Sequence, residues 1–167
     1  FAGPLNASLL LSGSGGYGFL ASVEALVSRN KGGKAFISLG EGERVCAPSH
    51  VSGSSASVSP DKAAMVAATH VCCASVGGRI LTFDIGELKA MEKGGRGLML
   101  IDLEAKDQLA GAAAYTRSVC IVGVGRGGKT REEVLEIRSL NNAKAGRAKK
   151  GKVADLGFKP NAVVRVE

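Results

Sequence analysis

Hydrophobic residues in this chain fall into short runs bounded by glycines and polar residues, rather than into long helical stripes. Short apolar runs separated by turn residues are typical of β-strands joined by tight turns. The predicted strands are Ser8–Leu11, Gly18–Ala21, Ala35–Leu39, Met65–Ala68, Val71–Ala74, Arg79–Phe83, Leu98–Leu103, Ser118–Val124, Lys152–Leu156 and Ala162–Val166. Ser22–Val27, Asp84–Met91 and Thr130–Leu140 each predict a helix or a loop with one turn, and Val51–Pro60 predicts a Ser-rich linker.

The pattern repeats along the chain. Leu9–Leu39 can be laid over Val71–Leu103, and a looser third copy covers Ser118–Leu156. Each copy has a strand, a glycine-rich turn, a second strand, a Glu-containing stretch, a basic glycine segment and a closing strand. The repetition predicts an all-β, propeller-like fold of about three blades, with approximate bounds 1–58, 59–112 and 113–167.

Composition narrows the class of protein. The 167 residues are 45% hydrophobic and 22% charged, which excludes wholesale disorder and fits one domain. No apolar run is long enough for a membrane span, and the start at Phe1 without a basic leader suggests a piece of a longer chain. Cys46, Cys72, Cys73 and Cys120 lack disulfide or zinc spacing, so we expect free thiols.

The positive charge is concentrated in the last third of the chain. Residues 1–110 carry ten Lys/Arg and ten Asp/Glu, whereas residues 111–167 carry twelve against five, which accounts for the net charge of +7. The densest cluster lies between Lys144 and Lys152. Such a cluster attracts polyanions, of which nucleic acids are the commonest, or else forms a solvated surface that aids solubility.

Two glycine motifs suggest nucleotide binding, and the repeats offer another explanation for both. Gly13–Gly18 matches G-x-G-x-x-G, but the second copy has a similar glycine turn at Val76–Arg79 without that fingerprint, which favours a shared hairpin. Gly123–Thr130 matches the P-loop pattern G-x-x-x-x-G-K-T. The strand best suited to hold its metal, Leu98–Asp102, precedes it, in the wrong order for the usual nucleotide-hydrolysing fold. His50 and His70 have no partners at metal or catalytic spacing.

Several segments resemble the C-terminal domains of the DNA-cleaving subunits of bacterial type IIA topoisomerases, with topoisomerase IV favoured over gyrase. The resemblance lies in Gly16–Phe19, Leu26–Leu39, Arg79–Phe83, Lys93–Gly97 and the segment from Glu132 to Leu156. The Gln-Arg-Arg-Gly-Gly-Lys-Gly box of gyrase is absent, and Gly125–Lys129 is a partial match to it.

The resemblance implies a β-pinwheel of four-stranded antiparallel blades that exchange strands, with a basic rim that binds and bends duplex DNA. It also implies that the DNA-cleaving tyrosine and the ATP and Mg²⁺ sites lie outside this chain, which itself needs no cofactor. The partners implied are DNA, the ATP-binding B-type subunit of topoisomerase IV and a second copy of the DNA-cleaving A-type subunit, in the bacterial cytoplasm on the nucleoid.

We therefore predict a track of basic side chains that contacts DNA phosphates without reading bases. Its members are Arg29, Lys31, Lys34, Arg79, Lys93, Arg96, Arg126, Lys129, Arg131, Arg147, Lys149, Lys150 and Lys152. No catalytic or metal-binding residues are predicted. Two alternatives stay open at this point: a nucleotide-binding protein that uses Gly123–Thr130, and a protein-interaction propeller whose partner binds residues 1–110.

Overall fold

The computed structural model describes residues 4–52 and 68–166. The predicted strand Met65–Ala68 and the Ser-rich stretch Val51–Pro60 fall almost entirely outside these ranges. The strands of the described residues are β1 (Ser8–Ser12), β2 (Tyr17–Ser22), β3 (Ser49–Ser52), β4 (His70–Ser75), β5 (Arg79–Asp84), β6 (Leu98–Met99), β7 (Leu109–Tyr115), β8 (Ser118–Val124), β9 (Thr130–Glu136), β10 (Lys152–Val153) and β11 (Lys159–Val166). Two short helices, α1 (Val23–Leu26) and α2 (Ile137–Asn141), and one 3-10 turn (Ile85–Glu87) complete the described elements.

The strands form three antiparallel sheets, which confirms the predicted all-β, propeller-like class. The first sheet has the order β3-β1-β2-β6, the second β7-β4-β5-β10 and the third β11-β8-β9. Each sheet contains a hairpin, namely β1–β2, β4–β5 or β8–β9, which is central in the first two sheets and includes the edge strand β9 in the third. In each of the first two sheets, one outer strand (β6 or β10) comes from the following copy of the repeat, so neighbouring copies exchange strands.

Because of this exchange, the sheets do not coincide with the sequence repeats. β6 follows β5 in the chain but pairs with β2 in the first sheet, and β10 follows β9 but pairs with β5 in the second. β7 runs across the predicted boundary between residues 112 and 113. The ranges 1–58, 59–112 and 113–167 therefore stay a prediction about repeated sequence, because a sheet is not a contiguous segment.

The hydrophobic core is made by stacking the three sheets face to face. Val71 and Cys73 of β4 belong to the cluster shared with the first sheet, whereas Cys72 and Ala74 belong to the cluster shared with the third. Successive side chains of a strand point to opposite faces, so a strand between two sheets must be apolar on both. This explains why the central strand is a continuous apolar run.

The structure resolves the three ambiguous stretches differently. Ser22–Val27 contains α1, whose first turn is capped when Ser22 Oγ accepts from Ala25 N, while Asp84–Met91 contains only the 3-10 turn. Thr130–Leu140 is β9 followed by α2, so a helix over the whole stretch is wrong. β9 extends because its backbone pairs with β8 along its entire length, and tertiary pairing overrides a weak helical pattern.

Candidate nucleic-acid interface

The three hairpins have the same closing geometry. In each turn the amide of a glycine with positive φ donates to the carbonyl three residues earlier: Gly16 to Gly13 at 3.0 Å, Gly78 to Ser75 at 3.0 Å and Gly128 to Gly125 at 3.2 Å. The φ angles of these glycines are 85°, 86° and 76°, a region that side chains rarely adopt. The recurring Gly-Gly pairs thus mark equivalent turns in the three copies.

The hairpins explain both nucleotide-like motifs. Gly13–Gly18 spans the β1–β2 turn, where Ser12 pairs with Gly18. In Gly123–Thr130 the chain reverses from β8 into β9, and Gly125 N donates to Lys129 O at 2.9 Å. A P-loop needs a helix after the loop, so that amides and helix dipole meet the phosphates. A strand follows here, so the nucleotide-binding alternative is not favoured.

The second and third basic glycine segments each lead into an exchanged strand. Gly97 (φ 83°) and Gly151 (φ 72°) precede β6 and β10, and an added Cβ on either would meet the carbonyl oxygen of the adjacent hairpin strand, Gly18 O or Ile80 O. Glycine is required at both positions because the backbones approach closely and φ is positive. The chain then continues as an edge strand beside the hairpin of the preceding copy.

The basic segments of neighbouring copies are hydrogen-bonded to one another. Ser38 N donates to Gly95 O at 2.9 Å, which joins the first segment to the second. Asp102 N donates to Lys149 O at 3.0 Å, and Ala148 N donates to Leu100 O at 2.9 Å, which joins the second to the third. We call residues 29–38, 93–102 and 147–153 together the basic strip.

Most of the predicted cations on the strip are available to a ligand. The following are exposed and form no ion pair within the described part of the chain: Arg29, Lys31, Lys34, Lys93, Lys149, Lys150 and Lys152. Lys34 Nζ lies 5.1 Å from the ring centroid of the partly buried Phe36, and Lys34 remains exposed. These seven side chains supply positive charge along the whole strip.

Three predicted arginines are held by protein groups. Arg79 pairs with Glu104 at 2.7 Å, and Arg96 pairs with Glu43 at 2.7 Å. Arg147 is half-buried, and its Nη1 donates to Met99 O at 2.6 Å. The charges of Arg79 and Arg96 are therefore partly compensated, whereas the guanidinium of Arg147 joins the third basic segment to β6 through a main-chain carbonyl.

The remaining three cations lie in the third hairpin. Arg126, Lys129 and Arg131 are exposed and form no ion pair within residues 4–52 and 68–166. Lys129 occupies the position of Tyr17 and Arg79 in the first two hairpins. The ring of Tyr17 lies beneath the guanidinium of Arg96. In the second hairpin, Arg79 Nη1 donates to Gly151 O at 3.4 Å. Both positions therefore border the basic segment of the following copy. By this equivalence Lys129 marks the position beside which a further basic segment would lie. No contact among the described residues joins Arg126, Lys129 or Arg131 to the strip.

Sequence patterns did not reveal the acidic partners. Glu43 and Glu104 lie in the loops that follow the first and second basic segments, and neither is at a helical or cross-strand spacing from its arginine. Glu87 also accepts from the backbone N of Arg147 at 2.9 Å. The Gly40–Glu43 turn is the one signal available in sequence, since the amide of Gly40 donates to Glu43 Oε2 at 2.7 Å.

The cysteines and His70 take part in the structure of the fold. All four cysteines are free and buried, and burial raises the pKa of Cys72 to about 12, so its thiol is not a nucleophile near neutral pH. His70 Nε2 lies 3.0 Å from Lys144 Nζ. Within the described ranges, no group of three or more His, Cys, Asp or Glu side chains is arranged to hold a metal ion, and no helix is long and apolar enough to cross a membrane.

Comparison of the sequence with known proteins agrees with this architecture of stacked sheets that exchange strands. The chain belongs to the DNA gyrase C-terminal domain family of β-propellers, whose model matches residues 7–49 and 69–115. Its relatives include the A-type subunits of DNA topoisomerase 4 from Neisseria gonorrhoeae, 37% identical over 88% of this chain, and from Haemophilus influenzae, 32% identical over 95%. The chain spans 18% and 20% of the length of these two proteins.

Solved structures agree on the fold. The C-terminal domain of ParC from E. coli matches with a TM-score of 0.74 and 24% identity, over 96% of this chain and 60% of that one. The C-terminal domain of DNA topoisomerase IV in a second structure matches with a TM-score of 0.67 and 17% identity, over 95% of this chain and 46% of that one. At these identities the likeness concerns the fold alone.

Proposed function

We propose that this chain binds duplex DNA through its phosphates, without sequence preference, and bends it. The observation that carries the proposal is the continuity of the basic strip, whose three segments are joined by Ser38–Gly95 and Asp102–Lys149 hydrogen bonds. Phosphate contacts give affinity that depends on salt rather than on sequence. The chain has two tyrosines, five phenylalanines and no tryptophan, so few aromatic rings are available for stacking on bases.

The strip also suits close approach of a backbone. Gly32 and Gly33 have open space around them, so that DNA phosphates can come near the main chain between Lys31 and Lys34. Because propeller blades are rotated relative to one another, we expect a strip carried by successive sheets to be curved. DNA that follows it is bent, and bending a site of about 20–30 bp costs about 1–6 kcal/mol, which additional phosphate contacts offset.

In the whole protein this binding serves DNA segment capture. Membership of the family supports the proposal that the domain holds a segment for ATP-dependent type IIA strand passage in decatenation and relaxation. The cleavage tyrosine, ATP and Mg²⁺ lie elsewhere in the enzyme, and the protein partners are the ATP-binding B-type subunit of topoisomerase IV and a second copy of the A-type subunit. The site of action is the bacterial cytoplasm, on the nucleoid, where it supports chromosome segregation.

Fluorescence anisotropy with a labelled linear duplex tests the binding. We expect log K to fall linearly with log salt between about 50 and about 200 mM, by about 0.9 for each phosphate neutralised, and a scrambled duplex to bind equally. The triple substitution of Lys149, Lys150 and Lys152 by Ala weakens binding to both duplexes. The matched control replaces the exposed Arg117, Arg138 and Lys159, which lie off the strip and carry the same total charge.

The outcomes separate the alternatives. Equal losses in the two triple variants would show that net charge, not the strip, governs binding. Absence of binding at physiological salt would favour a protein-interaction propeller. A rise in melting temperature with ATP and Mg²⁺ that Lys129→Ala abolishes would favour nucleotide binding instead.

A further inference from the structure

The turns of the first two hairpins are covered by protein groups. Ser14 N donates to Arg44 O at 2.8 Å in the first hairpin, and Val76 N donates to Gln108 O at 2.8 Å in the second. Each covering loop also brings a carboxylate to the turn. Gly77 N donates to Asp107 Oδ1 at 2.9 Å, and the Glu43 carboxylate lies where a Cβ on Gly15 would be. Both turns thus already hold an anionic group.

The third turn lacks this cover among the described residues. Residues 100–108 link β6 to β7, but only residues 154–158 link β10 to β11, and this shorter connection places no carboxylate on the turn. Within the same ranges, no group accepts from the amides of Arg126 and Gly127. A Cβ added to Gly127 or Gly128 would meet nothing within 4 Å. Gly127 also has a φ of 82°, unlike Gly15 and Gly77, so the third turn differs in backbone conformation, and both Arg126 and Gly127 are exposed.

Two positions of the third hairpin carry cations where both other hairpins have uncharged residues. Arg126 stands where the other turns have Ser14 and Val76. Arg131 stands where the other hairpins have Phe19 and Leu81, both fully buried. An exposed arginine in place of a core residue gives up hydrophobic burial, so a different interaction has to account for it.

We propose that the third hairpin, Gly125–Arg131, is a phosphate-binding loop and the strongest anchor for DNA in this chain. The open amides of Arg126 and Gly127 donate to phosphate oxygens, and the side chains of Arg126, Lys129 and Arg131 supply the charge. The first two hairpins contribute less, because Glu43, Glu104 and Asp107 already neutralise them. This inference rests on the proposed DNA binding for its physiological ligand, but the phosphate site itself does not depend on it.

The first test compares two double variants with the same change in charge. Arg126→Ala with Lys129→Ala removes exposed cations from a solvent-facing turn, so the fold is kept. We expect a loss of DNA affinity of about tenfold, as for two phosphate contacts, and a shallower salt dependence. Arg79→Ala with Arg96→Ala, whose arginines are ion-paired, should lose about twofold or less. Lys31→Ala with Lys34→Ala is the second comparison, should the arginine variant fail to fold by circular dichroism.

An equal or larger loss in the comparison variant that folds would overturn the inference. Failure of the unchanged chain to bind duplex at any salt would instead overturn the proposed function.

A second test detects the site without DNA. The amide signals of Arg126 and Gly127 are followed by ¹⁵N NMR during titration with inorganic phosphate, and with chloride at equal ionic strength. Shifts at these two amides with phosphate, but not with chloride, support the loop even if duplex binding is absent. Unshifted amides together with no selective loss of DNA affinity would refute it. Unshifted amides with the selective loss identify the duplex phosphodiester, rather than free phosphate, as the ligand.

Discussion

The guanidinium carbon of Arg96 lies 4.4 Å from the ring centroid of Tyr17, and Nη2 of the same side chain donates to Glu43 Oε1 at 2.7 Å. Arg96 belongs to the second copy, whereas Tyr17 and Glu43 belong to the first. An aromatic face and a carboxylate from one copy therefore fix a cation of the next. The contact stabilises the interface between copies and at the same time withholds charge from the strip.

Removing the charge of Glu43 should release Arg96 for DNA. We expect Glu43→Gln to raise DNA affinity by about two- to fivefold at low salt, since exposed ion pairs contribute about 0.2–1 kcal/mol and a carboxylate near phosphates repels them. The gain should shrink as salt is raised. Glu41→Gln, an exposed neighbour with the same charge change, is the control for anisotropy titrations. An equal gain in both variants would mean that net charge alone is responsible.

The junction between the first two basic segments depends on glycine at position 94. Gly94 has a φ of 74°, and an added Cβ would overlap the carbonyl oxygen of Phe36. Gly94→Ala should lower the free energy of unfolding by about 1–3 kcal/mol and the melting temperature by several degrees. Gly32→Ala, where a Cβ meets nothing within 4 Å and φ is not positive, should have little effect. Thermal unfolding of the two variants decides the point, and similar melting temperatures would show that the close approach is not required.

Stability and DNA binding should separate at two neighbouring cations. The half-buried Arg147 donates to Met99 O, so Arg147→Ala should cost about 1.5–3 kcal/mol of stability, as expected for a hydrogen bond from a charged group. The exposed Lys149 uses only its backbone carbonyl in the fold. Lys149→Ala should leave urea unfolding unchanged and weaken DNA binding. A loss of stability in Lys149→Ala comparable with that in Arg147→Ala would contradict the assignment.

The fold should weaken in alkali because of buried acidic groups. Burial raises the pKa of Cys72 from its ordinary 9.0 to about 12, and that of Tyr115 from 10.0 to about 12. The unfolded chain releases these protons at lower pH than the folded chain, so the stabilisation is complete below pH about 9 and declines as pH rises toward about 12. Urea unfolding between pH 8 and pH about 10.5 measures this slope. Cys72→Ala should flatten it, and a slope unchanged by that substitution would assign the effect to other groups.

Much of the fold follows from local sequence because the hairpins are local structures. The predicted strand Ser118–Val124 has the bounds that the structure shows, and the Gly-Gly turns are equivalent as predicted. Glycines at positive φ and short apolar runs carry this information within a few residues. The three antiparallel sheets confirm the all-β class, and the match to the family model confirms the family.

The elements that sequence patterns do not predict depend on distant partners. β7 has the alanine-rich sequence Leu109–Tyr115, which lacks β-branched residues, yet all seven of its residues are buried. Ala35–Leu39 reads as a strand but makes only an isolated bridge, between Ile37 and Gly95. The order of the sheets and the acidic partners of Arg79 and Arg96 depend likewise on strand exchange, which no local pattern encodes.

The thirteen predicted contacts with DNA stay predictions, but the structure divides them into groups. The cations of the strip lie on segments that main-chain hydrogen bonds join to one another. Arg147 is held by a contact within the fold. The cations of the third hairpin lie apart from the strip and form no ion pair among the described residues. Sequence alone cannot make this division, because Lys149 and Arg147 look alike until their burial is known.

The exchange of β6 and β10 means that the first and second sheets each take one outer edge from the copy that follows. Deleting one copy from the middle of such a chain would strip an edge from its predecessor as well as removing its own sheet, so a single genetic event would damage two sheets. A shortened or lengthened array is tolerated more easily when the change occurs at a terminal copy. The interlocked edges also imply that the copies unfold together, and that proteolysis should release the array whole rather than blade by blade.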